Sequence, residues 1–131
     1  RLASVVFATI MSTAASADPV HPVSAALFAG HVAAMAEHCE LPDLRPRGLA
    51  GRIIEADRQA LSAQLGVYET EREAAVRGFG ISIRQATDER QRIICWANHS
   101  AAVQYMLDRV AQDPALLQPG SGSTEAGEPE A

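Results

Sequence analysis

Residues 88–111, DERQRIICWANHSAAVQYMLDRVA, decide how this chain folds. No proline or glycine interrupts them, and their apolar side chains recur every three or four positions, the period of an α-helix. The helix is expected to begin near Asp88, with Gln91 at the capping-box position, and to reach about Ala111. Its expected inward face is broad: Cys95, Trp96, His99, Val103, Met106, Leu107 and Val110. Tyr105, with Ile94 and Ala101, makes a second apolar strip suited to a partner or a dimer.

Three more helical segments lie upstream. Ser24 to Glu40 follows Pro22, is stopped by Pro42, and sets Phe28, Val32, Met35 and Cys39 on one stripe. A second helix is expected from about Arg47 to Leu65, with Gly66 as its left-handed stop. Asp57 and Gln64 fall near the middle of its apolar face, between Leu49, Ile53, Ala56 and Ala60 on one side and Ile54, Leu61 and Leu65 on the other. A third starts at Thr70 in the capping box Thr70-Glu71-Arg72-Glu73 and carries Val76, Phe79 and Ile83 inward, with Gly78 and Gly80 predicting a kink or break over Phe79–Ile83. Nothing alternates long enough for a sheet, so the fold class expected is a small all-α bundle of about four helices.

Composition narrows the function. The chain has 131 residues, 47% hydrophobic and 21% charged, with net charge −5, and every one of its eleven basic residues is arginine. That length holds one domain, and the acidic balance argues against nucleic acid, whose phosphates demand cations.

The two ends read differently from the middle. Residues 1–17 have the pattern of a signal peptide with a truncated n-region: Arg1, the apolar run Leu2 to Met11, then small residues ending in Ala15-Ser16-Ala17 before Asp18-Pro19. The apolar run is too short for a membrane anchor, so none is expected to remain after cleavage. The reading is export, periplasmic or secreted. Residues 114–131 hold three prolines, three glycines and three glutamates without a basic residue, the composition of a disordered acidic tail. Asp18 to Asp113 is left as the helical domain, enough for one modest core.

Cys39 and Cys95 are the only cysteines, both on expected inward faces. In an exported chain an even pair reads as one disulfide, and no Cys-x-x-Cys turn points to redox catalysis. Two alternative chemistries draw on the same region. Were the thiols free, Cys39, Cys95, His99 and Met35 or Met106 would make a soft-metal set suited to Cu or Zn. Asp57, central on an apolar face, needs a partner, with His99, Arg72 and Arg92 as candidates, and an Asp57–His99 pair would orient an imidazole for acid–base work. His31 and His38, two turns apart, are too far separated to chelate one ion alone and read as flank residues. His21 lies in the lead-in to the first helix, and Glu69, Glu71 and Glu73 with Arg72 and Arg77 read as a solvated helix start.

No His-Glu-x-x-His, Gly-x-Ser-x-Gly, haem-attachment or phosphate-loop motif occurs, so no catalytic residue, cofactor or metal ligand is assigned. Ala15-Ser16-Ala17, His38-Cys39 closing one helix and Cys95-Trp96 opening another make the chain resemble small exported, helix-rich, two-cysteine proteins of unknown function from alphaproteobacteria. The resemblance implies compartment and fold, and carries no activity or site. The expected function is therefore that of a non-enzymatic, partner-binding or envelope accessory protein, with a protein of the cell envelope as partner.

Overall fold

The computed structural model describes residues 19–40 and 48–118. The expected signal peptide, residues 119–131 of the expected tail, and Pro42 lie outside the described residues. Within them stand four α-helices and no strand: α1 Pro22–His38, α2 Leu49–Ala60, α3 Leu65–Arg84 and α4 Asp88–Gln112. Short 3-10 turns follow α2 (Ser62–Gln64) and α4 (Pro114–Leu117). The all-α bundle and its Cys39–Cys95 disulfide are as the sequence predicts.

Local chemistry explains most boundaries, and several differ from expectation. α1 begins two residues early because His21 caps it: the Val23 N–H donates to His21 Nδ1 at 3.3 Å, and Pro22 fits the first turn. α2 opens on Gly48, whose φ of 90° a side chain rarely tolerates. It ends at Ala60 rather than Leu65, where Leu61 and the 3-10 turn interrupt the helix. Gly66 is therefore no helix stop but lies in the first turn of α3, which starts five residues before the expected capping box. α3 then runs unbroken through Gly78, Phe79 and Gly80. Thr87, not Asp88, caps α4, accepting from the Arg90 N–H at 3.2 Å. Gln91 closes the preceding helix instead: its Nε2 donates to the Ile83 carbonyl at 2.7 Å. The final turn adds order beyond Asp113, because Leu116 is buried and its carbonyl accepts from Arg52 Nε at 2.9 Å.

Helix α1 is central. Its small residues Ala25, Ala26, Ala29, Gly30 and Ala34 are all buried, so backbones approach closely. A Cβ on Gly30 would lie 2.7 Å from the Arg72 carbonyl oxygen and 2.8 Å from the Ala75 Cβ. Ala25 and Ala26 cluster with Tyr68, Gly30 meets Arg72 and Ala75, and His38 reaches Phe79 and Gly80, so α1 and α3 run in the same direction. α4 returns against them: Phe28 stacks on Tyr105 with ring centroids 4.6 Å apart, and Cys39 meets Cys95. The main core gathers Phe28, Val32, Met35, Ile53, Phe79, Ile83, Met106 and Leu116.

Candidate functional site

Two places concentrate unusual chemistry: a buried charge clamp and the outer face of α4. The clamp centres on Asp57, 1% exposed in the middle of α2's apolar face. Arg109, itself 8% exposed, reaches Oδ1 through Nε at 2.8 Å and Nη2 at 2.7 Å, and the Tyr105 hydroxyl donates to Oδ2 at 2.7 Å. Both carboxylate oxygens are thus satisfied from α4. Burial pushes the Asp57 carboxyl up from its ordinary value, against the opposing pull of Tyr105 and Arg109. Burial, then the hydrogen bond to Asp57, also pushes the Tyr105 hydroxyl far up.

None of the expected partners of Asp57 serves it. His99 packs edge-on against Trp96, at a centroid distance of 5.1 Å, and the clamp groups hold both oxygens of Asp57. Arg72 instead donates to Glu69 Oε1 at 2.9 Å, beside an Arg58–Glu69 pair, so Glu69 is a bridging anion between α2 and α3 rather than part of a solvated helix start. These two arginines hold the Glu69 carboxyl below its usual range. Tyr105, expected outward, is turned in because stacking on Phe28 and bonding to Asp57 satisfy its ring and its hydroxyl together.

Sequence reasoning missed Arg109, though the signal exists. Cys95, Ala102 and Arg109 recur at seven-residue spacing, and with Met106 they are the residues of α4 that are buried. A search restricted to apolar bulk overlooks a stripe made of one sulfur, one methyl and one guanidinium. The consequence is a rotation of the helix relative to expectation, with Trp96 and Leu107 facing solvent.

The metal alternative loses its ligands. Both thiols are consumed in the disulfide, with Cα atoms 5.9 Å apart, and Met35 and Met106 are buried in the main core. Among the described residues no group of three or more His, Cys, Asp or Glu is placed to hold an ion. His31 and His38 both lie against the Phe79 ring, at 5.9 and 6.2 Å, and burial lowers the His31 pKa.

No family model, curated protein or solved structure matches this chain. The function must be read from its own surface.

That surface is distinctive on α4. From Ile93 through Leu107 there is no Asp, Glu, Lys or Arg. On the solvent side of the same stretch Ile93 is 55% exposed, Trp96 50% and Leu107 59%. Ala97, Ser100, Ala101 and Gln104 are exposed between them. An outward helix face normally carries charge, and this one keeps its charges at the ends, on Asp88, Glu89, Arg90, Arg92 and Asp108. No helix among the described residues is long and apolar enough to cross a membrane.

Proposed function

We propose that this protein is an exported, partner-binding helical module that works outside the reducing cytoplasm and docks through the outer face of α4. The uncharged outer face from Ile93 to Leu107, with a half-exposed tryptophan in its first turn, carries the reading. A half-exposed tryptophan beside Ala97 and Ser100 suits a binding anchor, since it offers large apolar area at low entropic cost. The disulfide supports an oxidising compartment, as does the Leu2–Met11 run followed by Ala15-Ser16-Ala17.

Intact-mass analysis of the protein from its own cells, with and without thiol alkylation, tests the compartment: two blocked sulfurs and a start at Asp18 are expected. Docking is tested by Trp96→Glu and Leu107→Glu. Each should abolish complex formation while leaving the melting temperature near wild type, because both side chains stand in solvent. A complex that survives both substitutions would remove α4 as the docking face.

A further inference from the structure

We propose that the occupant of this face is a second copy of the same chain, held by antiparallel pairing of α4 on α4 about a two-fold axis near Ser100. The inference rests on the docking reading above and names its partner. At about 100° and 1.5 Å per residue, Ile93, Trp96, Gln104 and Leu107 all lie within roughly 40° of Ser100 around the helix. Ile93 and Leu107 stand about 10.5 Å to either side of it. A two-fold through Ser100 therefore sets Ile93 of one copy opposite Leu107 of the other, and Trp96 opposite Gln104. Ala97, Ser100 and Ala101 are small enough to let the backbones approach at the centre and leave room for the indole. One patch meets itself, as an isologous interface requires.

The charges at the two ends choose the direction. Arg90 and Asp108 lie on the same flank, each about 80° from the centre of the stripe. Antiparallel pairing brings Arg90 of one copy to within about 3 Å, along the axis, of Asp108 of the other, twice by symmetry. Parallel pairing would set the two copies' charged flanks on opposite sides of the seam, so neither Arg90 nor Asp108 would meet a charge across it. Within its own chain Asp108 uses Oδ1 to accept from Gln104 at 3.0 Å, which leaves Oδ2 for a guanidinium. The net charge of −5 disfavours an anionic lipid surface as the occupant.

Sedimentation velocity on the full exported chain, over a wide concentration range, tests the pairing. The wild-type protein is expected to be a concentration-dependent dimer and Trp96→Ala to weaken it about a hundredfold, since both copies lose the anchor. Arg90→Asp and Asp108→Arg should each weaken it roughly tenfold, and the double variant should recover most of the loss. Both substitutions agree with the helix dipole and sit in solvent, so unchanged melting temperatures are expected. A wild-type chain that stays monomeric, or a double variant no tighter than the singles, overturns self-pairing. A photocrosslinking residue at Ala97, introduced in the cells that make the protein, separates the failures. An adduct between two copies of the chain supports the proposal. An adduct with a different protein overturns self-pairing and keeps the docking reading; an adduct with lipid, a cross-link within one chain or no adduct overturns both.

Discussion

Gly30 shows how much one missing methyl group decides. With the Arg72 carbonyl oxygen and the Ala75 Cβ both inside 3 Å of where its Cβ would stand, α1 and α3 pack at a distance only glycine permits. Gly30→Ala must push the helices apart, and chemical denaturation should report a loss of about 1–3 kcal/mol, despite alanine's better helix propensity. Tyr68 presents the reverse case. It is fully buried between α1 and the end of α2, and its hydroxyl has no hydrogen-bond partner among the described residues. Tyr68→Phe keeps the ring and removes the stranded oxygen, so the same denaturation assay should show a gain of about 1 kcal/mol. His31 titrates against the fold. Burial lowers its pKa below 6.5, so between that value and its folded pKa the unfolded chain binds more protons. Its contribution is complete above about pH 6.5 and is lost as pH falls through the lowered value. Melting curves between about pH 7.5 and 5.5 should fall more steeply for wild type than for His31→Gln.

Among the elements, α4 tells the most about what a sequence reveals. Its existence and length were plain from an unbroken run with helical period, and so was the inward placement of Cys95 and Met106. Its rotation was not, because Trp96 and Leu107 are the bulkiest apolar groups and periodicity assigns bulk to the core. The true inner stripe is completed by Ala102 and Arg109, a residue that enters a core only when a carboxylate awaits it. The sequence shows that Asp57 needs a partner, while the packing of α4 over α2 decides which one it gets. The α2–α3 boundary differs for a related reason: Leu61 and Tyr68 are both buried against α1, and that tertiary packing, absent from local pattern, places the break between them. The clamp sets a graded expectation. Arg109→Met strands a buried carboxylate and should cost about 3–5 kcal/mol, whereas Tyr105→Phe removes one hydrogen bond to it and should cost about 1.5–3 kcal/mol. In Asp57→Asn/Arg109→Met the two losses should fall well short of additive by urea denaturation, since the charge each leaves behind is gone.

For the whole molecule, the disulfide joins residues 56 apart in sequence and ties α1 to the start of α4. On the chain-entropy account, a loop of that size contributes roughly 4 kcal/mol. Unfolding with and without reductant should therefore differ by about that amount, a large share of the roughly 5–15 kcal/mol typical of a domain. Architecture, staple and most of the core were legible in the sequence because each rests on periodicity or on cysteine parity. The strip expected to meet a partner, Tyr105 with Ile94 and Ala101, is aimed wrongly, because Tyr105 turns in to Phe28 and Asp57 and only packing decides which side of a helix is left over. The covalent ring closed at Cys39 and Cys95 contains all of α2 and α3, while α1 and most of α4 hang from it as two arms. Asp57 belongs to the ring, and Tyr105 and Arg109 belong to one arm. Any single backbone break between α2 and α3 leaves every helix on one connected molecule, whereas a break in α4 just beyond Cys95 severs the arm that carries most of the uncharged face.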